Sequence, residues 1–314
     1  MTSPAAAHRA EHSLTVDAPP PLLYGLVSDV TLWPAVFGPS VYVRHLARGA
    51  GWERFQIWAV VNGEVRDWTS RRRLDPGRYS ITFRQEHSRP PITSMGGQWS
   101  FRALPDGRTE IVLAHEFDTD GTPDAVRWIK EALDRNSAEE LSALARVASL
   151  GRRVEDVVFS FSDTAAIPGG ATEAYDFLHR ADLWADRLPH VEHVLLTEGP
   201  DRVQLLEMGT RTADGTTHET RSIRVCEPRS WIAYKQLLPP ALLLGHSGVW
   251  TVQDGPGGAS ITSRHTVVLS PEGVSAALGA GTTLAQAREH VRSALGRNSR
   301  TTMELAAAHA RSAA

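Results

Sequence analysis

The side chains with chemistry in them recur in pairs. Arg72 has a counterpart in Arg224, and His115 has one in His265, each about 150 residues further along the chain. Both arginines close a short Ser-x-Arg run, Ser70–Arg72 and Ser222–Arg224. In an extended strand this spacing puts Trp68, Ser70, Arg72 and Leu74 on one face and Arg71 and Arg73 on the other. An arginine on the apolar face must be paired or hydrated. It has two readings: a structural ion pair with an inward carboxylate, or a clamp for an anion or carbonyl oxygen in a ligand cavity. His115 shares parity with Leu113 and Phe117. It is either a structural strand histidine or a group that exchanges protons near neutral pH. Asn136 follows Leu133 on an apolar helical stripe and needs partners, either a backbone group or a ligand oxygen; Asn298 repeats it after Leu295. Met95, Gly97 and Trp99 share a strand face, as core or as an adaptable apolar wall. The second copy has His246 where the first has Met95. Its own candidate set is Arg224, Ser222, His246, Trp250, His265 and Asn298. No Gly-rich phosphate loop, G-x-S-x-G run or paired metal-ligand motif is present, so neither cofactor nor metal is expected.

These residues need a scaffold that exists twice. Tyr24 and Tyr175, Trp33 and Trp184, and Trp99 and Trp250 all share one offset. Near each copy's end, residues 132–137 match 294–299 at a longer offset, which places an insertion of about a dozen residues near 273–283. A constant offset over most of the chain is the mark of a repeat. Two domains are expected, 1–151 and 152–314. Alternation in the first predicts strands over 9–16, 41–48, 52–61, 65–74, 79–85, 97–104 and 110–117. Asn62-Gly63 marks a hairpin. Short helices are expected over 19–27 and 32–37, and a long one over 123–150. In the second copy the first strand is expected over 154–164 and the last helix from about 283 to 310. The order is strand, two short helices, six strands, long helix. This is an α+β arrangement in which a curved antiparallel sheet grips a helix and leaves a cavity between them.

Composition excludes other classes. Apolar residues make up 41% and charged residues 22% of 314, with a net charge of −3. That is neither a disordered chain nor a basic nucleic-acid binder. Cys226 is the only cysteine, which removes intrachain disulfides and CxxC metal sites. No leader-like or membrane-spanning apolar run is visible, so a soluble cytoplasmic protein with no membrane or nucleic-acid partner is expected.

Three motifs carry a resemblance: Trp33-Pro34-x-x-Phe37, Asp67-Trp68-x-Ser70-x-Arg72 and Met95-x-x-x-Trp99. They resemble the monodomain aromatase/cyclases of bacterial type II (aromatic) polyketide synthesis, and the duplicated chain resembles the di-domain members. The resemblance implies two tandem helix-grip domains of the START/Bet v 1-like kind. It implies a cofactor-independent enzyme that acts on a poly-β-ketone carried by an acyl carrier protein, among other synthase components. The implied reaction is regiospecific first-ring aldol closure, C7–C12 in di-domain members, with dehydration and aromatisation, or either alone. Arg72 would stabilise the oxyanion, His115 would transfer protons, and Ser70 would donate a hydrogen bond. Trp33, Phe37, Trp68, Met95, Trp99 and Asn136 would line the pocket. Tyr42 would stand near the family's missing aromatic at Ser40, and Asp134 would match an acidic residue on the last helix. The first domain keeps more wall residues and is expected to hold the main pocket. The second replaces the strand tryptophan with Thr220 and the proline with Ala185; it is a second pocket or a structural partner. Arg44, Arg48, Arg71, Arg73 and Arg78 are either a carrier-docking patch or scattered solvated charges. The competing readings are a non-catalytic carrier of lipids or aromatic ligands with this fold, and an interaction protein with an incidental cavity.

Overall fold

Each copy builds one seven-stranded antiparallel sheet and closes with a long helix. The computed structural model describes residues 8–150, 152–168, 170–211, 215, 217–255 and 258–313. It divides into two units, Met1–Val154 and Glu155–Ala314. Gly151, where the sequence places the boundary, lies outside the described residues.

In the first unit, β1 (His8–Val16) leads into helices α1 (Pro20–Ser28) and α2 (Trp33–Val36). Six strands follow: β2 (Ser40–Gly49), β3 (Trp52–Val61), β4 (Glu64–Asp75), β5 (Ser80–His87), β6 (Ile92–Ala103) and β7 (Thr109–Thr119). Their order in the sheet is β1-β7-β6-β5-β4-β3-β2. Local chemistry explains the breaks. Pro20 starts α1, where a missing N–H costs nothing. Asn62 and Gly63 both take positive φ, as a tight hairpin between β3 and β4 requires. β6 starts five residues before the expected strand, because Ile92–Met95 keeps pairing with β7 across a bulge.

Helix α3 (Pro123–Ala148) is capped by the Thr122 hydroxyl, which accepts from the Ala125 N–H. Its buried residues Ala125, Ile129, Ala132, Ser137, Leu141, Leu144 and Ala148 form one stripe. Ile129 packs with Met95 and Phe117 of the sheet. This is the expected helix grip.

The second unit repeats the plan. A helical turn, α4 (Val154–Val157), precedes β8 (Val158–Ile167), so the first strand begins later than the sequence suggests. α5 (Ala171–His179), a short 3-10 turn and α6 (Trp184–Arg187) match α1 and α2. Strands β9 (Val191–Glu198), β10 (Val203–Arg211), β11 (Thr217–Glu227), β12 (Trp231–Gln236), β13 (Leu243–Gly255) and β14 (Gly258–Leu269) follow in the same sheet order. The insertion carries its own helix, α7 (Pro271–Leu278), before the long α8 (Leu284–Ala313). No helix among the described residues is long and apolar enough to cross a membrane.

Candidate active site

Between the sheet and α3 of the first unit lies a cavity. Its walls include Trp33, Phe37, Phe55, Trp68, Phe83, Met95 and Trp99, with Ile129 and Leu133 from the helix. Ser70, Arg72, His115, Asn136, Ser137 and Glu140 are the polar groups along it. Arg66, Asp67, Arg89 and Trp128 also line it, with Arg66 half-buried and Arg89 exposed. The lining fits an apolar ligand with a few polar anchors.

Arg72 is 1% exposed. Its Nε donates to Glu53 Oε1 at 2.5 Å, its Nη1 to the Val27 carbonyl at 2.8 Å, and its Nη2 to the Ser28 carbonyl. Glu53 also bonds His45 Nε2 at 2.8 Å. The guanidinium lies over the rings of Trp33 and Phe55. All three nitrogens are therefore engaged with protein, and two of them hold the last carbonyls of α1, where a cation is favoured. The second unit supplies the control. Arg224 donates to the carbonyls of Leu178 (2.6 Å) and His179 at the end of α5, under Trp184. Gln204 stands where Glu53 does, so the carboxylate is not what the two copies share. What recurs is the arginine at a helix C-terminus. Of the two readings of Arg72, this arrangement fits the ion pair with an inward carboxylate, at a position that also borders the cavity.

His115 reaches the cavity from β7. Its Nδ1 is buried with no hydrogen-bond partner, which leaves Nε2 as the nitrogen available to a ligand. Burial, aided by the charge of nearby His12, pushes its pKa down to about 4, so the ring is neutral at pH 7. Gly97 sits directly opposite on β6. A Cβ there would meet the Ala114 carbonyl at 2.1 Å and the Phe83 ring at 2.6 Å. Glycine thus lets Phe83 lie across the strand, edge-on to His115 with ring centres 5.5 Å apart.

Glu140 was not singled out by the sequence. It lies on α3, faces the cavity and has no hydrogen bond or ion pair among the described residues. Burial, with the like charge of Glu139, pushes its pKa up to about 8. It is the carboxyl group kept protonated at neutral pH. The available signal was spacing: Leu133, Ser137 and Glu140 share one helical seam, in steps of four and three. Asp134, expected to match an acidic residue on the family's last helix, lies one position off that seam, largely exposed, and accepts from His12 Nε2 at 2.9 Å.

Other expected residues separate as well. Ser70, Trp33, Phe37, Trp68, Met95, Trp99 and Asn136 all line the cavity. Asn136 donates to the Val60 carbonyl at 3.0 Å, tying α3 to β3. Tyr42 does not line it: Val41 and Val43 take the inward face of β2, which turns Tyr42 against Trp58 with ring centres 5.5 Å apart. Ser40 is the lining residue there.

In the second unit the equivalent positions are filled with polar groups that bond one another. His265 Nδ1 faces the Tyr234 hydroxyl at 2.9 Å and His246 Nε2 at 3.0 Å. His265 Nε2 faces the hydroxyls of Ser299 at 2.8 Å and Ser263 at 3.1 Å. Tyr234, His246, His265 and Ser299 correspond to Phe83, Met95, His115 and Ser137. Burial lowers the pKa of both histidines, to about 4 for His265 and well below the ordinary range for His246, where the neighbouring His265 adds to the effect. Ser222 and Trp250 are buried. Asn298 is exposed. The seam of α8 runs through Val291, Leu295, Ser299 and Met303 in steps of four, so Ser299, not Asn298, reaches His265.

A model of the family described as polyketide cyclase/dehydrase and lipid transport matches residues 7–149. The chain is 56% identical to the granaticin polyketide synthase bifunctional cyclase/dehydratase of Streptomyces violaceoruber, over 96% of this chain and 93% of that one. It is 51% identical to the actinorhodin polyketide synthase bifunctional cyclase/dehydratase of Streptomyces coelicolor, over 96% and 97%. Among solved structures it is similar to the di-domain ARO/CYC BexL of the BE-7585A biosynthetic pathway (44% identity, TM-score 0.79, 96% and 98% covered). It is also similar to the di-domain ARO/CYC StfQ of the steffimycin pathway (35% identity, TM-score 0.80, same coverage).

Proposed function

The chain belongs to the polyketide cyclase/dehydrase family, and from that premise we propose that its first unit closes and dehydrates the first ring of a poly-β-ketone. The substrate is carried by an acyl carrier protein, the protein works beside the other components of a type II synthase, and closure joins C7 to C12. The observation that carries this reading is that His115 from β7 and Glu140 from α3 line one apolar cavity, where burial favours the neutral form of each. His115 is held neutral and Glu140 is held protonated. A neutral imidazole and a protonated carboxyl are the states that base and acid roles require.

The chemistry follows. A methylene between two carbonyls is acidic, and His115 Nε2 takes its proton. The enolate carbon attacks a carbonyl brought close by the folded chain. Enclosure supplies that orientation, worth several kcal/mol of barrier, on the order of 7 or more in well-aligned cases. Glu140 protonates the oxygen that becomes the hydroxyl. For dehydration, His115 removes the adjacent proton and Glu140 protonates the leaving hydroxyl. Ser70 and Ser137 are hydroxyl groups along the wall that can bond ketone oxygens. Arg72 acts by holding α1 and Trp33 in place.

The test is product analysis in a reconstituted minimal synthase with and without the protein. One first-ring pattern replacing a mixture of spontaneous products supports the reading. Ligand returned chemically unchanged, both without and with a ketoreductase present, would instead indicate a carrier of lipids or aromatics.

A further inference from the structure

The outward face of the first sheet carries a row of arginines in register across three strands. Arg71 of β4 lies directly opposite Arg54 of β3 on one side and Arg84 of β5 on the other. Residues so paired on one face are close neighbours, and like charges there are destabilising. The same parity puts Arg73 on this face, two residues along β4. Compensation is slight. Arg54 pairs with Glu86. Arg71 lies over the ring of Trp52, 5.0 Å from its centre, a contact that holds the guanidinium without neutralising it. Arg71, Arg73 and Arg84 are exposed and form no ion pair among the described residues.

The second unit shows the same fold without the row. Its register puts Leu205, Ile223 and Lys235 at the three positions, and Val225 stands where the first unit has Arg73. The sheet is thus built equally well when two of the three cations are aliphatic, so its folding does not call for them. The net charge of the whole chain is −3, which makes this positive face a local feature and not the surplus of a basic protein.

The row also leads toward the cavity. Outward positions along β4 run Arg73, Arg71, Thr69 and Asp67. Asp67 lines the cavity and pairs at 2.7 Å with Arg89, which lines it too and has an exposed side chain. Arg89 therefore stands where the cavity wall meets the surface. Four residues of strand separate Arg71 from Asp67, about 13 Å at roughly 3.3 Å per residue.

We propose that Arg54, Arg71 and Arg84, with Arg73, form the surface on which an acidic carrier domain docks while its tethered substrate enters beside Asp67 and Arg89. The inference rests on the carrier-bound substrate of the reading above. Charge selects the occupant: a flat row of guanidinium groups fits a partner that presents carboxylates at a similar spacing. The like-charge cost of the free row is relieved when those carboxylates arrive. Such contacts act on encounter and partner choice and weaken with salt.

The experiment measures binding and turnover separately, both on the full chain. The binding probe is the holo carrier protein of a minimal synthase, fluorescently labelled and read by anisotropy at low salt. Arg71→Glu and Arg84→Glu are each expected to weaken binding about tenfold, while Arg264→Glu, at an exposed position of the second sheet, leaves it within about twofold. Each row variant puts a carboxylate opposite an arginine, so Tm is expected to hold or rise, and lost binding is not lost folding. Acid-to-lysine substitutions on the carrier are expected to restore binding to Arg71→Glu, which a structural defect would not allow. In turnover, KM for the carrier-bound substrate is expected to rise about tenfold in Arg71→Glu, with kcat within about twofold. Unchanged carrier binding in both row variants overturns the docking surface and leaves the ring-closure reading standing. Loss of binding to another synthase component, with carrier binding intact, gives the row to that partner and overturns the proposal. A chain that binds the carrier through the row yet changes no product overturns the ring-closure reading alone.

Discussion

Removing the Arg72 guanidinium is expected to destabilise the first unit more than it disturbs the chemistry. Arg72→Ala leaves Glu53 buried at 6% exposure, with His45 as its remaining hydrogen-bond partner among those identified. It also strips the Val27 and Ser28 carbonyls of their donors at the end of α1. Breaking a buried pair from one side costs about 3–5 kcal/mol, because the charge left behind has lost its compensation. For a unit of this size each kcal/mol moves Tm by about 2–4 °C. The first unit's transition should therefore fall by roughly 6–20 °C, read by calorimetry or circular dichroism on the full chain. Arg72→Lys should recover only part of this, since one ammonium cannot hold a carboxylate and two carbonyls in the same fork. Arg72→Met combined with Glu53→Gln should recover more, because no uncompensated charge remains. The assay then asks for ring pattern at a temperature where each variant is folded, and the double variant should retain it. A single variant with Tm within about 2 °C of the parent and ring closure abolished would refute this reasoning and put the guanidinium on the substrate.

Other consequences are equally direct. Because His115 must be neutral and Glu140 protonated, dehydration should fall off below about pH 4 and above about pH 8; Glu140→Gln should lose most of the rate together with the alkaline limb. A depressed histidine pKa means the unfolded chain binds more protons as pH falls from about 6.5 toward 4, so stability drops in that window. The second unit, with both His246 and His265 held neutral, should lose stability there, and His246→Met, the residue found in the first unit, should flatten the dependence in acid unfolding. Asn136→Ala should cost about 1 kcal/mol through the lost bond to the Val60 carbonyl, measurable by denaturant unfolding.

Periodicity made the scaffold legible. Alternation and turn residues located the seven strands of the first unit, and a repeat offset doubled them. The site was legible in its walls, because Trp33, Phe37, Trp68, Met95 and Trp99 all carry large apolar side chains on inward parities. Polar roles were harder, since a parity argument says that Arg72 points inward but not what it meets. Its partners, Glu53 and the end of α1, are set by tertiary packing across strands and a helix. Helix seams explain the remaining misses. One position separates Asn298 from Ser299 and six separate Asp134 from Glu140, and only the packed helix decides which one faces inward. Tyr42 was lost to the inward face that Val41 and Val43 claim.

One feature of the sheet has a mechanical side. β1 and β2 stand at opposite edges of the order and do not pair with each other. The cavity wall is thus a split collar, not a closed hoop, and α1 and α2 carry the chain across the gap. A closed barrel of fixed strand number has a fixed girth, and widening it means breaking ladder bonds. A split collar widens by opening at the seam while every strand pair stays intact. Arg72 fastens α1 to β4 beside that seam. Substrates of greater bulk would then load this fastener first, and its strength would set how far the collar yields.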